Sequence, residues 1–250
     1  VAAKVAKSLP GIPQGSYLWN VHLHKLLVKL GFRRSEVDRG LYVHTKHQIY
    51  YLVWVDDIFP FYPKRESASA ERIWQQLKRD TGVGDMQEIS DCLGCTITRD
   101  RTKRITYLSQ RKAIKSLQDK LKMETRNGPG APMDPAVKLS REDCPSAEEA
   151  AKPENKAAHT RYRSAVASLI YFSMWTRPDI AYAVGALARL MHNPSEQAHV
   201  ALKRLLRYLF ATADQGLKYD FSGKPKPEWE MVHGYFDSSL ADCPDTKRST

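Results

Sequence analysis

The stretch IYYLVWVDD at residues 49–57 joins a β-strand pattern to two adjacent carboxylates. The run from Ile49 to Val55 is almost wholly apolar, β-branched and aromatic, which is typical of a buried strand. Asp56 and Asp57 end this run abruptly, and an apolar pattern resumes over residues 58–62. The pattern therefore predicts a β-hairpin that carries both aspartates at its turn.

Two carboxylates at the end of a rigid strand concentrate negative charge in a form that suits Mg²⁺, a cation that prefers oxygen ligands. Metal-dependent nucleotidyl transfer needs such a site, because one ion activates a 3′ hydroxyl while a second holds the triphosphate and stabilises the leaving pyrophosphate. Asp-Asp at a strand end is also ordinary turn chemistry. The pair alone therefore leaves a catalytic and a structural interpretation open.

Further helices and strands are predicted on both sides of the hairpin. A helix begins at Ser16, whose hydroxyl can cap it, and ends at Gly31. Strands are predicted over residues 40–45, 92–98, 104–108, 217–221 and 231–236, and helices over residues 66–80, 110–122, 162–175 and 178–192, with a last helix that Ser195 caps. Residues 127–157 are predicted to be a linker, because glycines and prolines punctuate a stretch with little apolar periodicity.

The chain has 250 residues, of which 42% are hydrophobic, and a net charge of +11. That apolar content is enough for one large core or two modest ones. Residues 99–126 contain ten Lys or Arg and three Asp or Glu. Uncompensated positive charge favours a polyanionic partner, while basic side chains that only solubilise helix surfaces are an equal alternative. Neither a signal peptide nor a membrane-spanning apolar run is found, which predicts a soluble intracellular protein.

Several residues with chemical potential are interpreted as structural. Cys92 and Cys95 form a C-x-x-C in a predicted single strand, where their odd spacing would point the two sulfurs to opposite faces. No second Cys or His pair follows at zinc-finger spacing, so no metal site is predicted there. The tryptophans in apolar helical runs are predicted core residues, namely Trp19, Trp74 and Trp175.

Short motifs occur in one order along nearly the whole chain. The first set comprises GIPQGSYLW (11–19), LGF (30–32), LYV (41–43), VWVDD (53–57), LG (93–94) and LSQ (108–110). The second set comprises MDP (133–135), YRS (162–164), WTRPDIA (175–181), LLRYL (205–209) and DCPDTKRST (242–250). Together these motifs resemble the Pol polyprotein of copia-type retrotransposons, from within its reverse transcriptase to the start of its RNase H domain.

The resemblance implies an RNA-directed DNA polymerase that uses Mg²⁺ with an RNA template, a DNA primer, an RNA–DNA hybrid and deoxynucleoside triphosphates. The residues that it implies are Asp56 and Asp57 for the catalytic metal ions, Trp54 for the primer end, Gln14 and Gly15 for the incoming nucleotide and template, Leu93 and Gly94 for a primer-gripping hairpin, and Asp237 for the first metal-binding carboxylate of an RNase H site. The helix after Gln110 would lie near duplex phosphates.

The fold that the resemblance implies is α+β. It comprises a partial right-hand polymerase palm with its catalytic hairpin and primer-grip region at residues 1–126, the linker at 127–157, a helical thumb-like region at 158–215, and the opening strands of an RNase H-like domain at 216–250. The implied location is the cytoplasm, within a virus-like particle, with nuclear entry and dimerisation left open. No membrane partner is implied.

Some features depart from the family pattern. The family's third aspartate precedes the Pro-Gln-Gly segment, yet residues 1–9 contain no acid, and the other RNase H carboxylates would follow Thr250. Pro60 falls in the returning strand of the hairpin, where it cannot donate a ladder hydrogen bond. It is therefore expected to weaken the hairpin and to mark a decayed copy. We expect an enzyme fragment that is inactive as given, with a non-catalytic nucleic-acid-binding remnant or a pseudogene product as the alternative.

Overall fold

The computed structural model describes residues 14–124, 127–223 and 243–247. The chain separates into two units, residues 1–88 and 89–250, and each has its own hydrophobic core. Each unit combines helices with a four-stranded antiparallel sheet, so the predicted α+β class is confirmed. Among the described residues, no helix has both the length and the apolar character that a membrane crossing requires.

The first unit packs two helices against one face of its sheet. Its elements are α1 (Gly15–Lys29), β1 (Phe32–Arg34), β2 (Leu41–His44), β3 (Tyr50–Trp54), β4 (Asp57–Phe61) and α2 (Ser67–Thr81), and the strands lie in the order β1-β2-β3-β4. Side chains along β3 alternate, with Tyr51 and Val53 buried and Tyr50, Leu52 and Trp54 exposed. The buried set packs on Leu23 and Leu27 of α1 and on Trp74 and Leu77 of α2. Alternation along a strand thus separates a covered face from an open one.

The two ends of α1 differ from each other in how well the sequence predicted them. The helix begins at Gly15 and Gln14 takes the N-cap position, so the prediction that Ser16 caps it is wrong. Ser16 is the second residue of the helix and lies in its first turn. The predicted end is confirmed, because Gly31 follows the C-cap with φ of +95°. A Cβ at Gly31 would lie 2.9 Å from the ring of His44, so both the backbone angle and the space favour glycine.

The predicted hairpin is confirmed. In β3 and β4, Trp54 is the register partner of Asp57, which leaves only Val55 and Asp56 in the turn between them. Asp56 therefore lies in the turn itself, and Asp57 is the first residue of the returning strand.

Pro60 does not interrupt the ladder between β3 and β4. In the described part of the chain β4 is the edge strand, and Pro60 lies opposite Tyr51. Val53 donates its N–H to the Gly40 carbonyl and Ile49 accepts from His44, so alternate residues of this strand direct their polar backbone groups towards β2. Tyr51 lies two residues from each of them, so its backbone N–H and C=O also point towards β2. Pro60, which lies opposite Tyr51, therefore has no ladder hydrogen bond to make with it. The expectation that Pro60 weakens the hairpin is wrong, because the missing N–H lies on the outer edge.

We expect Pro60→Leu to be neutral or to lower the free energy of unfolding by up to about 1 kcal/mol, since leucine adds freedom to the unfolded chain and restores no ladder bond. Phe59→Pro is the matched comparison, because Phe59 lies opposite Leu52 at a hydrogen-bonded position. It should cost about 2 kcal/mol or more. Urea unfolding of the three proteins measures both changes, and a clear gain in stability for Pro60→Leu would contradict the edge placement.

The second unit combines a sheet with a helical core. Its elements are β5 (Asp91–Cys92), β6 (Cys95–Asp100), β7 (Ile105–Ser109), α3 (Arg111–Leu121), α4 (Ala147–Ala150), α5 (Pro153–Trp175), α6 (Ala181–Ala188), α7 (Glu196–Ala211) and β8 (Leu217–Asp220). The strands lie in the order β5-β6-β7-β8. The core is formed by α5, α6 and α7 with Ile114 of α3. The strand at 217–220, which was expected to open an RNase H-like domain, pairs here with β7.

Three sequence predictions in this unit are revised and one is confirmed. The predicted strand over 92–98 is two strands, β5 and β6, separated by a turn at Leu93 and Gly94. The predicted linker contains α4 and the start of α5, and its Leu139 is buried in the helical core. The helix predicted over 178–192 is a 3-10 turn followed by the shorter α6. Ser195 caps α7 as predicted, since its hydroxyl accepts the N–H of Ala198 at 3.2 Å.

A buried arginine joins the helices of this unit. The Arg177 side chain is 1% exposed, and its Nε and Nη2 donate to the two carboxylate oxygens of Asp179 at 2.9 and 2.8 Å. Its Nη1 donates to the carbonyl oxygen of Thr212, just after α7, at 2.9 Å. The guanidinium carbon lies 5.7 Å from the ring centroid of Tyr208, whose hydroxyl also donates to Asp179. The residues before α6 are thereby bound to the end of α7.

We expect Asp179→Asn to lower the free energy of unfolding by roughly 3 kcal/mol at pH 7, because it leaves a buried guanidinium without its counter-charge. Burial alone would raise the pKa of Asp179, but the hydrogen bonds and charge of Arg177 outweigh it and hold that pKa below its usual value. A lowered folded-state pKa gives stability that is present above the unfolded pKa of about 3.9 and is lost as pH falls through the folded value.

The difference between wild type and Asp179→Asn should therefore be constant above about pH 5 and shrink at lower pH. Urea unfolding at pH 7 and pH 3 measures it, with Asp119→Asn, on the exposed side of α3, as the control. A difference that is the same at both pH values would contradict the charged pairing.

Candidate functional site

The two aspartates lie together at the exposed end of the first unit. Asp56 is in the β3–β4 turn and Asp57 opens β4, and both side chains are exposed. Adjacent carboxylates of this kind can offer oxygen ligands to a hard cation. Within the described residues no group of three or more His, Cys, Asp or Glu side chains is close enough to hold a metal ion. The two aspartates alone would therefore form only part of a metal site, and a further ligand would be needed to complete it.

The turn that presents Asp56 is strained. Val55 has φ of +52°, a region that β-branched residues rarely adopt, whereas Asp56 does not have a positive φ. A positive φ at only the first central residue is the pattern of a type II′ turn, which normally has glycine there. The Val55 side chain is 56% exposed, so burial does not compensate for the strain. Strain of this kind is often found at functional sites.

Trp19 holds the strained turn in place. Its indole Nε1 donates a hydrogen bond of 3.0 Å to the carbonyl oxygen of Val55. Sequence reasoning assigned Trp19 to the core, but the side chain is only partly buried. The available signal was the polar indole nitrogen, because a tryptophan near a surface usually finds an acceptor for it. Of the other two tryptophans, Trp74 is in the core as predicted, whereas Trp175 is 44% exposed and its prediction was wrong.

Trp54 belongs to an open, largely aromatic face of the sheet. It is 57% exposed, and the same face carries Tyr50, Leu52 and Phe61. Cross-strand register partners point to the same face, so Trp54 and Asp57 share this side of the hairpin. An aromatic ring next to a carboxylate pair can stack on a base whose phosphates approach the metal site.

Gln14 and Gly15 lie at the start of α1. Gln14 is exposed at the N-cap position and its side chain makes no capping hydrogen bond, while Gly15 is the first helical residue. The first turn carries no acidic residue, so the backbone N–H groups there are suited to a negatively charged group. The preceding residues of the quoted motif, 11–13, lie outside the described part of the chain.

Leu93 and Gly94 form the tip of the β5–β6 hairpin. Both have positive φ, of +49° and +77°, the type I′ pattern that matches the twist of a tight hairpin. Cys92 and Cys95 are register partners across this turn, so their side chains lie on the same face and the prediction of opposite faces was wrong. Odd spacing places side chains on opposite faces only within one strand, and here a turn separates Cys92 on β5 from Cys95 on β6. Burial and the neighbouring Cys92 raise the pKa of the Cys95 thiol.

The basic helix α3 follows directly after β7. Ile114 anchors it in the core, while Lys112 and Arg111 form ion pairs of 2.8 and 2.7 Å with Asp91 and Asp214. Lys115 lies on the exposed side and makes no ion pair within the described part of the chain. Part of the helix's positive charge is therefore available to an external anion. Asp237 and the strand predicted at 231–236 lie outside the described residues.

The sequence of the chain is similar to those of known proteins over both of its units. Residues 2–135 match the family model for reverse transcriptase (RNA-dependent DNA polymerase). The chain is 28% identical over 253 residues to the Retrovirus-related Pol polyprotein from transposon TNT 1-94 of Nicotiana tabacum, which covers 100% of this chain and 18% of the relative. It is 34% and 31% identical over 249 residues to those from transposons RE1 and RE2 of Arabidopsis thaliana, covering 99% of this chain and 16% of each relative.

The chain thus spans less than a fifth of the length of these curated relatives. The similarity nevertheless extends over both of its units. No solved structure matches the chain.

The turn strain leads to a prediction for Val55→Gly. We expect this change to raise the free energy of unfolding by about 1 kcal/mol, because glycine adopts the positive φ without the penalty that a β-branched residue incurs. Val37→Gly is the matched control, since Val37 is 99% exposed and does not have a positive φ. That change should destabilise by about 0.5–1 kcal/mol. Urea unfolding gives both values, and equal destabilisation by the two changes would exclude strain at Val55.

Proposed function

The chain belongs to the reverse transcriptase (RNA-dependent DNA polymerase) family, and on that premise we propose that it is a segment of a copia-type retrotransposon Pol polyprotein that copies RNA into DNA by two-metal nucleotidyl transfer. The observation that carries this proposal is the β3–β4 turn. There, the consecutive residues Asp56 and Asp57 are both exposed, and both fall within the matched residues. The similarity of the whole chain to Pol polyproteins supports the same origin for both units.

The carboxylates of Asp56 and Asp57 fit a magnesium site, because Mg²⁺ prefers carboxylate oxygens and retains several waters at an exposed position. When bound, magnesium supplies activation of the primer 3′ hydroxyl and neutralisation of the triphosphate. Asp56, in the turn itself, would make the more direct contact. A third aspartate would complete the site from the segment that the family resemblance places before Pro13.

Residues around the carboxylates would orient the nucleic acid and the incoming nucleotide. Trp54 shares a face with Asp57, so its exposed ring would touch the primer end by stacking. Gln14 and Gly15 would lie along the incoming nucleotide and the template, because the Gln14 side chain makes no capping hydrogen bond and the start of α1 offers backbone N–H groups to a negative charge. Trp19 would keep the catalytic turn in position through its hydrogen bond to Val55.

The second unit would hold the primer–template duplex. Leu93 and Gly94, at the tip of β5–β6, would form the primer grip, where a glycine without Cβ allows a sugar–phosphate backbone to approach closely. The exposed basic side chains of α3 would contact duplex phosphates, whose counterions are released on binding. The helices α5, α6 and α7 would form the thumb-like region.

Residues after β8 would begin an RNase H-like domain that acts on the RNA–DNA hybrid. Asp237 would be its first metal-binding carboxylate, with the remaining ligands following Thr250. The polyprotein product would act in a cytoplasmic virus-like particle. Its substrates would be an RNA template, a DNA primer and deoxynucleoside triphosphates.

The test is primer extension by a chain lengthened at its N-terminus through the segment that carries the third aspartate. We expect Mg²⁺-dependent extension of a DNA primer on RNA, and we expect Asp56→Asn to abolish it, because a neutral amide cannot replace a carboxylate ligand beside the triphosphate. Asp80→Asn, an equal change of charge at an exposed position of α2, should leave extension unchanged. Equal activity of Asp56→Asn and wild type would exclude the metal assignment.

The 250-residue chain itself provides the second arm of this test. It should bind an RNA–DNA hybrid without extending a primer, with an affinity that falls as salt rises by a log–log slope of roughly −0.9 per phosphate contacted. If the lengthened chain also bound without copying, a non-catalytic nucleic-acid-binding remnant would be the better description. Binding that did not depend on salt would exclude the electrostatic contacts proposed for α3.

A further inference from the structure

One side chain ties the tip of the β5–β6 hairpin to helix α5. The hydroxyl of Tyr171 donates a hydrogen bond of 2.7 Å to the carbonyl oxygen of Leu93, 78 residues earlier in the chain. Gly94 follows in the turn with φ of +77°, and a Cβ built on it would collide with that same hydroxyl oxygen. The Tyr171 hydroxyl therefore occupies the space that a side chain at position 94 would need, so this hydrogen bond requires glycine there.

The two strands of the hairpin are held differently, since β6 also pairs with β7 whereas β5 is short. Strand β5 consists of Asp91 and Cys92 alone, and a ladder of two residue pairs is marginal by itself. Its base is held by Asp91, which accepts from Lys112 Nζ at 2.8 Å and from Thr96 Oγ1 at 2.9 Å. An exposed ion pair of this kind contributes little. The Tyr171 hydrogen bond, in contrast, is made to the turn itself.

The Tyr171 ring is positioned by its contact with the helical core. It lies on α5 beside Phe172, which is buried in the helical core, with ring centroids 5.7 Å apart. Several residues of this 23-residue helix are buried in the helical core, so the hydrogen bond from Tyr171 connects the turn to a well-packed element. The Gly94 backbone on the other side of the turn is exposed.

We infer that Tyr171 is a positioning residue for the primer strand: by holding the Leu93 carbonyl it sets where the Leu93–Gly94 turn meets the 3′ end of the primer. This inference rests on the proposed primer-grip function of the turn. Tyr171 acts through the turn and is not itself a ligand of the nucleic acid. A residue that only stabilised the unit would change the affinity for every duplex alike, whereas a positioning residue changes the preference for a primer end.

The experiment uses the 250-residue chain and two RNA–DNA hybrids of equal length, one with a recessed DNA 3′ end and one blunt. Wild type should prefer the recessed end. Tyr171→Phe keeps the ring and the net charge but removes the donor, and it should lower the affinity for the recessed end roughly three- to tenfold, the effect of one hydrogen bond. The affinity for the blunt hybrid and the salt dependence of binding should not change. Tyr182→Phe, at a tyrosine that is 68% exposed, is the matched control and should leave both affinities unchanged.

A double-mutant cycle with Gly94→Ala keeps the inference testable if Tyr171→Phe alone has a small effect. In the Tyr171 background the added Cβ collides with the hydroxyl, whereas in the Phe background its nearest ring atom is the Cζ carbon at an ordinary 3.6 Å. The strain of positive φ is the same in both backgrounds and cancels. Gly94→Ala should therefore reduce binding of the recessed end more strongly in the presence of Tyr171 than of Phe.

The outcomes separate this inference from the proposed function. If wild type binds the two hybrids equally, the primer-grip assignment fails and the inference fails with it. If wild type prefers the recessed end and Tyr171→Phe retains that preference with no coupling in the cycle, the primer grip stands and the role of Tyr171 is overturned. A loss of affinity of equal size for both hybrids also overturns it, because that result describes a purely structural residue.

Discussion

The backbone pairing of Trp54 with Asp57 leaves room for only two residues between β3 and β4, and much of the first unit depends on that limit. A turn this short requires an unusual backbone angle, which Val55 adopts and Trp19 holds through its indole nitrogen. The same register places Tyr51 and Val53 against the helices. A slip of one residue would exchange the two faces of the sheet, so the hydrophobic core and the carboxylate pair are specified by a single register.

In the second unit, hydrogen bonds from buried or half-buried polar side chains bind elements that are distant in sequence. Arg177, whose side chain is buried, links the residues before α6 to the end of α7. Tyr171 links α5 to a hairpin 78 residues earlier. Such contacts are directional, so they fix positions more sharply than apolar packing, which tolerates many arrangements of similar volume.

The features that the sequence predicted correctly depend mainly on neighbouring residues, although the Ser16 cap, also a local pattern, was wrong. The apolar run before Asp56, the glycine after α1 and the Ser195 cap are local patterns, and all three were confirmed. Features that depend on a distant partner were missed. The β8 strand pairs with β7 across more than a hundred residues, and the apparent linker packs on a core formed by later helices. The edge position of Pro60 likewise depends on which strand lies beside it. For the candidate site, the sequence located the carboxylates but not Trp19 or Tyr171, whose roles come from hydrogen bonds to backbone carbonyls far along the chain.

Within the described residues β4 is an edge strand, and its backbone affects how other strands can join this sheet. Of the residues in β4, Ile58 and Pro60 direct their backbone nitrogens outward, and proline has no hydrogen to donate. A strand that pairs with this edge, from elsewhere in a longer polyprotein or from a second copy, can accept a hydrogen bond from the Ile58 N–H. Two residues further on, Pro60 offers it no N–H. That asymmetry favours one alignment of the incoming strand over its shifted alternatives. It also makes indiscriminate edge-to-edge aggregation less favourable, which is a common function of proline at the border of a sheet.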